Sequence, residues 1–368
     1  MTIRIGLAGL GKMGLSHLAI VNAHPQLEVA AVCDGLSYLT NNLKKFTSFN
    51  CYNDYQEMLD KEQLDAVLIA TPSKAHATMA TQAIQAGLHV FCEKPFVLDI
   101  IEGQKIITQA ATNDLVTQVG YHNRFVGAFK KAQQLVAQGA LGTVYHFRAE
   151  AYGPVVIRPQ SATWRSKKSE GGGVVYDYAC HALDLVNFVL GPVEDVSGVI
   201  RNSIFSKDVD DEVYCSLTLK NNLQGQLAAN WSDESQRKMT TKLTIWGTTG
   251  QINVDRQECA LYLRNESTAS LPKGWSIFNT TELTDEVWYY LRGEEYSAQI
   301  DEFVERINTH NKKTTTACDF AKALETDRVC AMINGLETDP VVDEKVDQAA
   351  NQQSLTQRLR GLFGAKHA

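Results

Sequence analysis

Four short clusters combine residue types that can hold phosphates and move protons. The first is Gly9-Leu10-Gly11-Lys12-Met13-Gly14, a G-x-G-x-x-G pattern that follows an apolar run and opens a stretch with helical spacing. Gly9 permits a tight turn, and a side chain at Gly11 would keep a pyrophosphate off the backbone. Gly14 lets helix and strand pack closely, and the helix N-terminus offers free N–H groups and positive dipole. Asp34 lies 20 residues beyond Gly14. A carboxylate there can accept from ribose hydroxyls and would repel a 2′-phosphate, so the pattern favours NAD over NADP. Gly35 leaves room, and no Lys or Arg follows closely. A glycine-rich turn with a helix-capping Asp would account for the same residues without a ligand.

The second cluster, Ala70-Thr71-Pro72-Ser73-Lys74-Ala75-His76, sits where a strand ends and a helix begins. Thr71 or Ser73 can cap that helix and Pro72 suits its start, so a plain capped turn is locally sufficient. The third is Cys92-Glu93-Lys94-Pro95, again at a strand end. Lys94 would project into the crevice of the glycine loop. Desolvated beside a nicotinamide cation, it is expected to have a lowered pKa and to trade protons with a hydroxyl; the plain reading is a surface lysine before a turn. The fourth runs Gly171-Gly172-Gly173 to Asp177, His181 and Asp184. Three glycines let a backbone approach a ligand closely. On a helix, Asp177 and His181 share a face and make an acid/base or hydroxyl-orienting pair; a capping Asp with a satisfied His is the alternative. Further clustered ligands are lacking, so no metal site is expected.

The frame for these clusters is written in the hydrophobic periods. Short apolar runs at 3–8, 27–33, 66–70, 90–92 and 115–119 alternate with helical spacing at 13–23, 36–46, 54–60, 74–86 and 99–112. That rhythm predicts an α/β doubly wound parallel sheet, a Rossmann fold. After about Tyr121 the rhythm changes. A helix at 128–138 leads into strand-like segments at 144–152, 196–202, 212–219, 224–231, 242–246, 251–254 and 260–264. Helices are expected at 182–190, 296–308 and 320–336. This predicts an α+β part with a large, mostly antiparallel, open-faced sheet. An apolar open face would make a homodimer or homotetramer. The expected domains are 1–121, 122–345 and a tail, 346–368, whose weak amphipathic pattern (Leu355, Leu359, Leu362, Phe363) reads as a frayed terminus or packing helix.

Two domains also suit 368 residues. With 35 Lys+Arg against 42 Asp+Glu, the net charge of −7 argues against a nucleic-acid partner. Residues 121–170 invert it, with eight Lys/Arg against two Glu. That segment suits an acidic or phosphorylated sugar beside a neutral polyol, or it is simply solvated surface. No apolar run reaches the ~18 residues of a membrane span, and no leader pattern opens the chain, so no membrane partner is expected. The eight cysteines are scattered, with no C-x-x-C, as in a reduced cytoplasmic protein.

In this order, G-x-G-x-x-G, A-T-P-x-x-x-H, E-K-P and G-G-G-x-x-x-D-x-x-x-H-x-x-D resemble the Gfo/Idh/MocA oxidoreductases, from about Thr2 to Asp339. The resemblance implies hydride transfer between nicotinamide C4 and a hydroxyl carbon of a sugar, sugar acid, sugar nucleotide or polyol. It implies catalytic roles for Lys94, His181 and Asp177. Cofactor contacts would come from Gly9, Gly11, Lys12, Met13, Gly14, Asp34, Thr71, Pro72, Ser73, His76, Glu93, Lys94, Asn123, Trp164 and Arg165. Substrate contacts would come from Lys94, Tyr121, Asn123, Arg124, Tyr152, Trp164, Arg165, Asp177 and His181. Ala179 stands where glycine is common, and Asp34-Gly35-Leu36 departs from an Asp-x-Asp turn, which leaves NADP open. The family also includes non-enzymatic dinucleotide-binding regulators and hydrolases that use NAD transiently to cleave glycosides. The presence of both Lys94 and His181 favours a dehydrogenase.

Overall fold

Six parallel strands alternate with helices through the first third of the chain. They are β1 (Ile3–Ala8), β2 (Leu27–Cys33), β3 (Asn50–Tyr52), β4 (Ala66–Ile69), β5 (His89–Cys92) and β6 (Thr117–Val119). The sheet order is β3-β2-β1-β4-β5-β6, with helices α1 (Lys12–Ala23), α2 (Ser37–Phe46), α3 (Tyr55–Lys61), α4 (His76–Gln85) and α5 (Ile100–Thr112) between strands. Strand β4 is buried throughout, as a run covered on both faces must be. Asp54 and Asp99 cap α3 and α5, accepting from Glu57 N at 2.7 Å and Glu102 N at 3.0 Å. The order reverses between β1 and β4, so the C-terminal ends of those strands flank a ligand crevice. This is a computed structural model, and it describes residues 2–157, 164–265, 271–310 and 316–336.

Helix α6 (Gly127–Ala137) leads to β7 (Val144–Tyr152), and α7 (Cys180–Val189) leads to β8 (Val193–Asn202), β9 (Glu212–Leu219) and β10 (Gln224–Asn230). Strands β11 (Thr240–Gly247), β12 (Gly250–Val254), β13 (Glu258–Leu263) and β14 (Gly274–Asn279) complete an eight-stranded sheet of order β14-β13-β12-β11-β7-β10-β9-β8. Its pairs are antiparallel except β10 with β7. The fold is thus the Rossmann sheet followed by a mostly antiparallel sheet, as the periodicity predicts. Strands β3 and β14 were not expected from the sequence. Helices α8 (Thr280–Leu283), α9 (Glu294–Thr309) and α10 (Phe320–Ile333) close the described chain. The expected tail, 346–368, lies outside the described residues, as does Arg158 of the basic segment.

The two sheets share a core. Phe96, just after β5, stacks on Phe320 of α10 with ring centroids 4.0 Å apart, and buried residues of both halves form one continuous cluster. This joint burial fixes the strand ends of the first sheet against the start of α7. Among the described residues no helix is long and apolar enough to cross a membrane.

Candidate active site

The glycine loop is shaped by its own backbone. Gly9 has φ +95°, and a Cβ there would stand 2.6 Å from Ala70 O. A Cβ on Gly14 would fall 1.7 Å from Gly9 O, so helix and strand can touch only without it. At Gly11 a Cβ would meet nothing within 4 Å, so this glycine leaves space that the protein itself does not fill. Gly11 is also the N-cap of α1 and provides no side-chain cap. An uncapped helix N-terminus behind open space fits a dinucleotide pyrophosphate. Lys12 is exposed and Met13 half-buried beside it. Asp34 accepts from Leu10 N at 2.7 Å and from Leu36 N at 2.8 Å. It therefore braces the loop and still keeps lone pairs for ribose hydroxyls.

Thr71 and Pro72 follow β4, and Ser73 is buried. Ser73 lies beside Gly171, where a Cβ would be 3.2 Å from that serine's Cβ. His76 is 1% exposed, and its ring nitrogens face Pro95 O at 2.7 Å and Thr71 O at 2.9 Å. It ties the A-T-P and E-K-P turns together. Both ring nitrogens thus face carbonyl oxygens of the chain itself, and the neutral ring has one N–H to donate between them.

Behind β5, Glu93 meets His17 Nε2 at 2.6 Å. Burial alone would raise the Glu93 carboxyl, but the hydrogen bond and charge of His17 outweigh it and hold it below the usual range. Lys94 Nζ donates to Asp177 O at 2.9 Å and lies 3.1 Å from Asp177 Oδ1. Burial pulls the ammonium down; the Cys180 sulfur and the Asp177 carboxylate outweigh it, and the net direction is up. Against the depression expected beside a nicotinamide cation stands this partner, which favours the charged donor form of Lys94.

Three glycines let the preceding turn fold back on the chain. A Cβ at Gly172 would stand 2.4 Å from Arg165 O, and Gly173 N donates to that same oxygen at 3.1 Å. The glycines thus admit the Trp164-Arg165 turn, and in this structure the close approach they permit is to their own chain. Arg165 lies over the Trp164 ring at 4.8 Å, and its Nε donates to Asp177 Oδ2 at 2.8 Å. A π-helical turn, Val175–Ala179, runs into α7, and such turns recur at functional sites. Asp177 is 5% exposed. Burial would raise its carboxyl, but Lys94 and Arg165 carry it below the ordinary range.

His181 follows one turn later, 4% exposed. Burial, with Lys94 and Arg256 nearby, holds its imidazole well below the ordinary range, so it is neutral. Nδ1 is sealed and has no partner among the described residues, which leaves Nε2 as the atom able to exchange a proton. The His122 ring stands 5.2 Å away and the Tyr121 ring 6.0 Å. Asn123 joins them through Arg256.

Two expected substrate contacts do not reach the crevice. Arg124 is 2% exposed and makes a forked ion pair with Asp184, Nε to Oδ2 at 2.9 Å and Nη2 to Oδ1 at 2.7 Å. Its charge is spent on joining the segment after β6 to α7. Tyr152 lies on the outward face of β7, its hydroxyl 3.3 Å from Glu150 Oε1, because the inward positions belong to Ala149 and Ala151. Conversely His17, His122, Arg256 and Glu295 belong to the site and were not singled out from the sequence. His17 offers the one local cue, a polar residue on the buried face of α1. Among the described residues no cluster could hold a metal ion.

Residues 3–121 match the description "Oxidoreductase family, NAD-binding Rossmann fold", and residues 129–253 match the GFO/IDH/MocA C-terminal domain. Levoglucosan dehydrogenase of Pseudarthrobacter phenanthrenivorans is 26% identical over 292 residues, 70% of this chain and 75% of that protein. Myo-inositol 2-dehydrogenase of Thermotoga maritima is 26% identical over 275 residues, 72% of this chain and 79% of that one. A solved levoglucosan dehydrogenase in complex with NADH superposes with a TM-score of 0.81 at 22% identity, covering 91% of this chain and 96% of that one; at this identity the likeness shows the fold. With both halves matched in order, the chain belongs to the Gfo/Idh/MocA oxidoreductase family and carries its NAD-binding Rossmann fold.

Proposed function

We propose that this oxidoreductase is a dehydrogenase of a sugar, sugar acid, sugar nucleotide or polyol, with Lys94, Asp177 and His181 as its catalytic residues. The observation that carries the reading is Lys94, just beyond β5, bonded to Asp177 one turn before a neutral His181 on α7. When bound there, NAD supplies the hydride acceptor. Gly9, Gly11 and Gly14 leave its pyrophosphate room, and Asp34 favours free ribose hydroxyls over a 2′-phosphate. Thr71, Pro72, Glu93, Asn123 and the Trp164-Arg165 turn line the same crevice. The His181 Nε2 lone pair takes the substrate hydroxyl proton as the carbon gives up hydride. The Lys94 ammonium, held by Asp177, stabilises the oxygen as negative charge develops. Asp177 keeps Lys94 oriented and stays ionised.

The test is a panel of sugars, sugar acids and polyols with NAD⁺, read as NADH absorbance, with Lys94→Ala beside the parent chain. Net NADH from the parent and nearly none from the variant, with NADH binding retained, is expected. Glycoside cleavage without net NADH, or undiminished turnover by the variant, overturns the reading.

On this reading nucleotide binding falls to 1–121 and substrate binding to 122–345, a border supported by the end of the parallel alternation after β6. A homodimer or homotetramer through the second sheet's open face is supported by its exposed Trp275 (55%) and Ile277 (56%), and light scattering of the purified chain tests it. Buried free thiols, as at Cys92 and Cys330, suit the cytoplasm.

A further inference from the structure

His122 and Asn123 follow β6 and are almost sealed from solvent, 7% and 1% exposed. A residue from the far sheet reaches them. Arg256, in the turn between β12 and β13, donates from Nη1 to His122 Nε2 at 3.1 Å and to Asn123 Oδ1 at 3.0 Å. Its Nη2 pairs with Glu295, at the start of α9. A guanidinium can only donate and stays charged. The atoms facing it must therefore be acceptors, which settles the tautomer of one side chain and the amide orientation of the other. His122 Nε2 carries a lone pair, so the neutral ring has its hydrogen on Nδ1. Asn123 presents its carbonyl oxygen to Arg256, so its amide nitrogen is turned elsewhere.

Both remaining groups are donors. The bonds of His122, to Arg256 and to Tyr296 Oη at 3.4 Å, fall on Nε2. Asn123 Nδ2 is buried with no acceptor among the described residues. Several charged or titratable groups surround His122. Arg256 comes from the β12–β13 turn, Glu295 and Tyr296 from α9, Glu93 and Lys94 from behind β5, and His181 from α7. Burial, His181 and Arg256 hold the His122 imidazole well below its usual range, against Glu93. A proton added at Nε2 would face the guanidinium.

We propose that Arg256, braced by Glu295, is a positioning residue that makes His122 and Asn123 one-way hydrogen-bond donors for oxygen atoms of the bound sugar or polyol. What the donors meet rests on the dehydrogenase reading; their polarity rests on the chain alone. An acceptor oxygen then gains two preset partners, and an analogue lacking that oxygen leaves them unpaired.

The test combines histidine ¹⁵N spectra, taken with and without NADH, and steady-state kinetics on the best sugar of the panel. The variants are Arg256→Met and, so that no buried carboxylate is left alone, Arg256→Met/Glu295→Gln. His122→Gln assigns the ring signals. In the parent chain the His122 ring is expected to show hydrogen on Nδ1, none on Nε2, and no charged form across the pH range in which an unperturbed histidine titrates. In the paired variant it is expected to take up a proton at a higher pH or to exchange tautomers. The KM of the sugar is expected to rise at least ~5-fold, about 1 kcal/mol by the tenfold-per-1.4 conversion, with the NADH dissociation constant within ~2-fold. A parent ring with hydrogen on Nε2, an unchanged ring in the paired variant, or an unchanged KM overturns the proposal. If no sugar reduces NAD⁺, the dehydrogenase reading fails, and the spectra still decide the polarity of His122.

Discussion

Replacing Asp177 by Asn keeps the size of the side chain and deletes the charge that holds Lys94. In the parent structure Oδ1 is 3.1 Å from Lys94 Nζ and Oδ2 is 2.8 Å from Arg165 Nε. At an effective dielectric of ~20, one such contact with Lys94 amounts to about 5 kcal/mol before desolvation is subtracted. Loss of one partner of a buried pair typically costs ~3–5 kcal/mol. Arg165, with its side chain 39% exposed, is screened and adds little. Unfolding stability near neutral pH is therefore expected to fall by about 3 kcal/mol. The carboxyl lies below its ordinary range in the fold, so its contribution is present above that range and lost as pH falls through the folded value. The gap between the parent and the Asp177→Asn chain should accordingly close only in strong acid.

The kinetic effect has a different origin. Without the carboxylate, burial of Lys94 is opposed less and its pKa falls, so the basic limb of kcat/KM should move to lower pH. The loosened donor is expected to cost ~10²–10³ in kcat, the scale of one oxyanion-stabilising group. The assays are pH profiles of NADH formation on the best sugar, chemical denaturation at several pH values, and an NADH titration as control. An Asp177→Asn chain with kcat/KM within tenfold of the parent and an unmoved basic limb would refute the idea that Asp177 acts through Lys94.

Arg124→Met should lower stability by ~3–5 kcal/mol through the stranded Asp184 carboxylate, whereas Arg124→Met/Asp184→Leu should recover most of the loss; equal denaturation midpoints for the two would deny the pair. Asp327, fully buried on α10 with Oδ2 accepting from Val97 N at 2.9 Å, is raised by burial to about 8. The folded state then holds a proton that the unfolded chain releases near pH 4, so this group costs stability increasingly from about pH 4 to pH 8. Asp327→Asn should flatten that decline by up to ~5 kcal/mol, and parallel stability–pH curves for the two chains would count against it. Asp34→Ser should weaken NAD binding more than NADP binding, as read by titration; equal weakening would reduce Asp34 to a brace for Leu10.

The frame and the residues proposed as catalytic were legible in the sequence because their signals are local. Strand–helix alternation marks the strand ends, and Glu93-Lys94-Pro95 and the glycine loop sit at two of them. Asp177 and His181 announce themselves by spacing along one helical face. The parity of β7 was legible too: Ala149 and Ala151 claim the buried side, which puts Tyr152 with Arg148 and Glu150 outside. Strand β3, three residues long, is too short for a period to show.

What stayed hidden is carried by contacts between residues remote in sequence. Arg256 sits in a polar Asp255-Arg256-Gln257 turn of ordinary composition, and 133 residues separate it from Asn123. The motif around Arg124 fixes its backbone but says nothing of Asp184, 60 residues on. The same limit bears on the expected charge of Lys94. Sequence pairs Asp177 with His181, but space pairs it with Lys94, and on the proposed reading the second pairing sets which group is the acid and which the base. A lysine alone in that pocket would be pushed toward neutrality by burial and could serve as the proton acceptor. Held 3.1 Å from a buried carboxylate, it stays an ammonium, and His181 is left as the neutral lone pair. On the proposed dehydrogenase reading, the proton acceptor therefore follows from the fold's joining of β5 to α7, and it is expected to change with Asp177 even though neither Lys94 nor His181 is touched.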